Sequence, residues 1–313
     1  MGYFVGIPLG GAAEKDCQVR FGKNMTFQVE TRAPHLPAEW ALQSGVQLTW
    51  PHADTDWAYM LEEVQQCFIA IASEIAKREL LLIVTPEPEE VRKQISATVD
   101  MDNVRFLKCE TNDTWARDHG AVTMIDTEGP SLLDFTFNGW GLKFASDKDN
   151  QITRRAVEAE ILKGRYINRL GFVLEGGSIE SDGMGTLLTT SECLLSPNRN
   201  SQLNKVEIEE YLRSTFHLER VLWLDYGYLA GDDTDSHIDT LARFCSPDTI
   251  AYVQCRDVND EHYEELHRME EQLKTFRTLA GEPYRLLALP MADKIEADGE
   301  RPAGYVCQLP DNE

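Results

Sequence analysis

The sequence has no excess of basic residues. In 313 residues, 30 Lys and Arg stand against 53 Asp and Glu, a formal charge of −23. A surface with that balance repels phosphate backbones, which argues against nucleic-acid binding. No apolar run approaches the ~18 residues needed to cross a bilayer, so a membrane-spanning protein is excluded. No C-x-x-C occurs among the seven cysteines, at 17, 67, 109, 193, 245, 255 and 307. Their odd number and scatter fit neither a disulfide framework nor a zinc ribbon. The N-terminus, MGYFVGIPLGGAAEKDCQVR, lacks a basic start followed by an apolar core. No signal peptide is read there, and a reducing cytoplasm is expected. What is abundant excludes disorder: 6 Trp, 12 Phe and 10 Tyr are too many aromatics for an unfolded chain.

The length is about twice that of a ~150-residue domain, enough for one large or two ordinary ones. Residues 1–35 show no period and read as a tail, within which Met25 could be the true start. From Pro37 the pattern becomes regular. Apolar residues at 57, 60, 61, 64, 68, 71, 72 and 75 predict a helix over 57–79, and ELLLIV (79–84) predicts a buried strand. A second helix is expected from Pro88, then strands at 104–108, 121–125 and 131–137. Further on, helices are expected at 151–163, 205–215 and 260–279. Strands are expected at 171–174, 178–181, 185–190, 219–224, 239–244, 249–254 and 284–288. Strand pairs alternating with single helices predict an α/β protein with mixed sheets, repeated as units around an axis. No low-complexity linker interrupts this rhythm, which favours one domain.

Three clusters carry chemistry. Thr111-Asn112-Asp113-Thr114-Trp115-Ala116-Arg117-Asp118-His119-Gly120 follows a buried strand, where α/β proteins place working residues. The same residues would also make a plain turn, with Arg117 paired to Asp113 or Asp118. Leu174-Glu175-Gly176-Gly177-Ser178 puts a carboxylate beside two glycines that let backbone approach a ligand closely; a hairpin turn with a solvated Glu is the alternative. In Asp235-Ser236-His237-Ile238-Asp239, strand geometry would project 237 and 239 from one face, as an oriented acid/base pair or as two metal ligands. A satisfied core histidine also fits. His35, His217, His262 and His267 read as surface residues, and His52 is ambiguous. Three carboxylates and one histidine on an acidic chain suit a small cation, and carboxylates grip a guanidinium's planar fork bidentately. A metal-dependent hydrolase is the competitor, without an H-x-x-x-H motif to support it.

At these clusters the chain resembles the agmatine deiminase family, also called Porphyromonas-type peptidylarginine deiminases. The resemblance runs from LPAEW (36–40) and LTWPH (48–52) through WARD (115–118) and EGGS (175–178). It continues through TLLTTSECLLSPNRN (186–200) and SHIDTLARF (236–244), covering about residues 36–300. It implies a pentein fold, a pseudo-five-fold α/β-propeller of ββαβ units with the active site on its axis. The implied reaction hydrolyses agmatine to N-carbamoylputrescine and ammonia through a cysteine thiouronium, as a step toward putrescine. No metal and no organic cofactor are implied. On the same footing, Asp118 and Asp239 bind the guanidinium nitrogens and Glu175 adds a contact. His237 moves protons, and Trp115 lies against the substrate. The expected partner is this small cation, with no nucleic acid and no membrane; a homo-oligomer is left open. Peptidyl-arginine is the alternative substrate, and a non-catalytic guanidine-binding relic the alternative role.

One departure matters. The family's nucleophile is a cysteine near the C-terminus in a context resembling G-S-L-H-C, which this sequence does not contain. Cys307, in GYVCQLPDNE, does not match that context, and Cys193 reads as a buried small hydrophobe. Synonymous codons for the residues after Arg301, read one base later, give GLPATYANFLI, close to the family's LPATYANFLIMN. The expectation is therefore a domain over 36–301 with its last unit incomplete. Residues 302–313 would be a frameshifted tail, on a chain that keeps the guanidinium carboxylates but lacks catalysis.

Overall fold

The computed structural model describes residues 34–229 and 236–292, together with the backbone of Gly2–Phe4. The tail 302–313, Cys17, Met25, Asp235 and Cys307 lie outside the described residues.

Three sheets repeat one motif: an antiparallel pair, a helix, then a strand parallel to the second of the pair. In the first, β5 (Val122–Asp126) pairs with β6 (Gly129–Thr136), the helix Ile152–Glu158 crosses over, and β7 (Arg165–Val173) runs parallel to β6. The second is β8 (Ile179–Ser181), β9 (Thr186–Thr190), the helix Lys205–Phe216 and β10 (Arg220–Leu224). The third is β11 (Ala242–Ser246), β12 (Thr249–Gln254), the helix Tyr263–Thr275 and β13 (Arg285–Pro290). The remaining sheet holds β2 (Gly45–Thr49), β3 (Leu80–Thr85) and β4 (Val104–Lys108), all parallel. Helices Leu61–Ala76 and Pro88–Ile95 form its crossovers.

The sheets bury their apolar faces against their own helices and against the neighbouring sheet. Leu81, Ile83, Ala72, Ala76 and Ile95 make one such core, and Phe172, Leu187, Ile208, Leu212 and Phe216 another. The fully buried run Leu81–Val84 is continuously apolar because helices or neighbouring sheets cover both its faces. Lys205–Phe216 starts at a capping box, with Asn204 accepting from the Glu207 amide and the Glu207 side chain answering the Asn204 amide.

Four expectations need correction. Within the stretch read as a tail, Gly2–Phe4 form β1, antiparallel to β2, taking up the backbone groups of that sheet edge. His35, read as a surface residue, is half-buried, and its backbone bridges Ile125 in both directions at 2.9 and 3.0 Å. The helix expected to reach 163 ends at Glu158, because Glu160 takes a left-handed φ of 57° and turns Leu162 back into the core. The strand expected at 239–244 is a helical turn, Ile238–Leu241, followed by β11. Ser236, at φ 52°, redirects the chain just before that turn. Among the described residues no helix is long and apolar enough to cross a membrane.

Candidate active site

The candidate side chains come from the joints between sheets. Asp118 lies in a short helical turn, Ala116–His119, between β4 and β5. Glu175 lies between β7 and β8, and His237 and Asp239 between β10 and β11. Although His237 and Asp239 do not alternate along a strand, an extended residue followed by a helical turn still brings both to one place.

That place is Gly177. A β-carbon built there would sit 2.6 Å from His237 Nδ1, 2.8 Å from Asp118 Oδ1 and 2.9 Å from Asp239 Oδ2. His237 Nδ1 is 3.7 Å from Asp118 Oδ1, and its Nε2 is 4.0 Å from Glu175 Oε2. The glycine's amide donates to Asp118 Oδ1 at 3.0 Å. Gly176 is required for a different reason: a β-carbon there would lie 2.1 Å from the Arg117 carbonyl oxygen. The two glycines, expected to let backbone approach a ligand, instead let the Glu175 strand end approach the Asp118 turn.

The alternative reading does not hold for Glu175, which is not a solvated turn residue but fully buried. Arg117 reaches Glu39 at 2.6 Å, and Arg243 bridges Glu39 to Glu180 at 3.1 and 2.8 Å. Burial pushes Asp118 above the usual carboxylate range, opposed by hydrogen bonds from the Gly177 amide and the Trp140 indole and by the Arg117 charge. Asp239 is also raised by burial, with His237 lowering it and Asp118 raising it. Trp115 is 37 % exposed, between Trp57 and Trp140 at ring-centroid distances of 6.1 and 6.2 Å.

Sequence reasoning missed three partners. Arg199 Nε donates to both Glu175 oxygens at 3.0 Å. Trp140 Nε1 donates to Asp118 Oδ2 at 3.1 Å. Cys193, read as a buried hydrophobe, is buried as expected, yet its sulfur lies within 4.8 Å of ligand atoms of Glu175 and His237. A tryptophan between two glycines, and the one arginine in SPNRN, were the available signals. Glu175, Cys193 and His237 also form the kind of S, N and O donor set that takes a divalent ion. The Arg199 guanidinium already holds both Glu175 oxygens, so a cation there would face a like charge.

A cavity of about 210 Å³ beside Trp140 is lined by Asp54, Asp56, Asp113 and Asp149. Burial pushes Asp113 up to about 8, reinforced by a hydrogen bond and repulsion from Asp56, and Asp149 up to about 7. Both folded values exceed the unfolded one, so the folded state binds more protons between roughly pH 4 and 8 and loses stability as pH rises through that window. Asp113→Asn should remove part of that loss. Urea midpoints at pH 5 and pH 8 should lie closer together than in the wild type, and an unchanged gap would refute the assignment.

The family model for Porphyromonas-type peptidyl-arginine deiminases matches residues 35–313. An agmatine deiminase from Ectopseudomonas mendocina (strain ymp) is 35 % identical over 276 residues, which is 86 % of this chain and 74 % of that one. Among solved structures, a Cys-to-Ser variant of C. jejuni agmatine deiminase with substrate bound superposes with a TM-score of 0.76 at 38 % identity. It covers 88 % of this chain and 79 % of its own. Agmatine deiminase of Enterococcus faecalis gives 0.76 at 29 % identity, with 85 % and 73 % covered. These matches run through every joint that contributes to the cluster around Gly177, and the chain belongs to the Porphyromonas-type peptidyl-arginine deiminase family.

Proposed function

We propose that this chain carries the agmatine-binding part of a hydrolase site, in which a guanidinium C–N bond is cleaved to N-carbamoylputrescine and ammonia once a nucleophilic cysteine is supplied. The observation that carries the reading is the convergence of Asp118, Asp239 and His237 on Gly177, with Glu175 next to the imidazole. Asp118 and Asp239 bind the guanidinium nitrogens, Glu175 adds its charge, and Trp115 covers the guest. A thiolate adds to the central carbon of the guanidinium cation, and the carboxylates stabilise the positive charge that returns as the leaving nitrogen is protonated and the thiouronium forms. Ammonia leaves with a proton handed over by His237, giving a thiouronium. Water, deprotonated by His237, then adds to the same carbon, and the C–S bond breaks to return the thiolate and release the ureido product. The agmatine deiminases among the relatives and the strongly acidic balance of the sequence both favour a dication over peptidyl-arginine. We assign the sheets to blades of a pseudo-five-fold propeller, by extension from the three repeated units.

The site residues support binding more directly than turnover, because Cys193 is sealed in the core and Cys17 and Cys307 lie outside the described residues. The test measures agmatine binding by calorimetry and N-carbamoylputrescine formation with EDTA present. It compares this chain with a version whose reading frame is advanced one base after Arg301. Binding by both and turnover only by the second is expected. Turnover by the 313-residue chain would show that a cysteine it already has is the nucleophile. No agmatine binding by either would overturn the substrate assignment, as would preference for a peptidyl-arginine substrate.

A further inference from the structure

We infer that the left-handed turn Asn138–Leu142 is the positioning element of this site, fixing Asp118 through the Trp140 indole and Glu175 through Asn198 and Arg199. The inference rests on the guanidinium reading above and adds residues outside the four charged groups.

The backbone of this turn is unusual. Gly139, Trp140, Gly141 and Leu142 have φ of 64°, 56°, 78° and 69°, so two side-chain-bearing residues sit where L residues rarely do. Such strain persists only where surroundings over-determine it, and it concentrates at functional sites. Here the surroundings are explicit. Asn138 Oδ1 accepts from the Gly141 amide at 2.9 Å, and a β-carbon on Gly139 would lie 2.0 Å from the Phe144 carbonyl oxygen. The indole is 5 % exposed, packed edge-on against Phe137 and Phe144 at 5.0 and 5.6 Å. Its single N–H therefore has one direction to point, and Asp118 Oδ2 is there at 3.1 Å.

The other side of the turn faces the second carboxylate. Asn138 Nδ2 donates to the Asn198 carbonyl at 2.8 Å. A β-carbon on Gly141 would lie 3.4 Å from Asn198 Cβ and 3.6 Å from Arg199 Nη1, so the bare glycine lets the backbone settle against that segment. Arg199 is held further by its Nη1 bond to the Cys193 carbonyl at 3.3 Å, and its Nε grips Glu175. One turn thus touches the supports of two carboxylates that come from different joints.

Hydrogen bonds to an ionised carboxylate favour that form, and Asp118 has two, from Gly177 and Trp140. The other charged groups facing it are His237, Asp239 and Arg117. Trp140 is accordingly assigned to keep a buried carboxylate charged and aimed, without touching substrate.

The test replaces Trp140 with 3-benzothienylalanine, which keeps the fused rings and exchanges the N–H for sulfur, and separately makes Asn138→Ala. With the analogue, agmatine affinity should fall about ten- to a hundredfold, the loss expected for one hydrogen bond to a charged group. The acid limb of binding should move to higher pH. The Asp118 carboxyl ¹³C resonance, identified by its absence in Asp118→Asn, should titrate at higher pH while the melting temperature stays close to wild type. Asn138→Ala should weaken agmatine binding and, because Asn138 also caps the turn that carries Trp140, move the Asp118 titration less than the analogue does. Wild-type affinity and titration in the analogue would overturn the role of Trp140, and wild-type affinity in Asn138→Ala would overturn the link to Glu175. Because the resonance is read without ligand, a wild type that fails to bind agmatine would count against the substrate and leave the role of Trp140 testable.

Discussion

Gly177→Ala should abolish agmatine binding and leave the fold standing. The added methyl would sit 2.6–2.9 Å from His237 Nδ1, Asp118 Oδ1 and Asp239 Oδ2, closer than a real Cβ tolerates. All three atoms are side-chain ends, so the cheapest relief is for those side chains to swing away. That relief spares the backbone and dismantles the site. Gly177 does not use the left-handed region, so alanine adds no backbone strain. Misplacement of reacting groups by about 1 Å can cost ~100-fold, and a loss of at least that order is expected here. Calorimetric titration with agmatine checks it, alongside a melting curve expected to shift by no more than a few degrees. Affinity within threefold of wild type would mean that the guest does not sit among these three groups.

Arg199→Leu should produce the largest loss of stability. Glu175 and Arg199 side chains are 0 % and 3 % exposed, so removing the guanidinium leaves a carboxylate with no water to replace it. Breaking a buried pair from one side costs about 3–5 kcal/mol, whereas replacing both partners by apolar groups is often near neutral. The double variant Arg199→Leu/Glu175→Leu should therefore recover most of what the single one loses. Urea denaturation of the two single variants and the double one gives the coupling energy directly. If the double variant were as unstable as the sum of the singles, the pair would be two independent packing residues. Its place beside His237 would then be incidental.

What could be read from the sequence follows how local each signal is. ELLLIV announced β3 because four consecutive buried positions need no partner to be recognised. The cluster residues Asp118, Glu175, His237 and Asp239 were legible because each stands at a strand end beside glycine or a turn. Their shared centre at Gly177 was not, since it depends on three joints meeting across 59 and 60 residues of chain. His237 and Asp239 do come together, but by another route than strand alternation: an extended residue and a helical turn deliver them. Arg199 and Trp140 escaped notice for the same reason. An arginine 24 residues from its carboxylate looks like a surface charge until the fold removes the water. The end of the helix at Glu158 turned on a left-handed residue, Glu160, that carries no glycine or asparagine to betray it.

Three of the four apolar cores run across two neighbouring sheets, and the cluster around Gly177 lies at the joints between those sheets. Adjoining units therefore stabilise one another, and the cluster exists only when they are folded and in register at once. A guest held by Asp118, Glu175, His237 and Asp239 spends its binding energy on the agreement among units, because loss of any one of them releases it. By mass action, every unit that contributes a contact then inherits the same stabilisation from the bound state. Occupancy would tighten a coupling that the shared cores already provide, with the acidic cluster at the joints acting as its clasp.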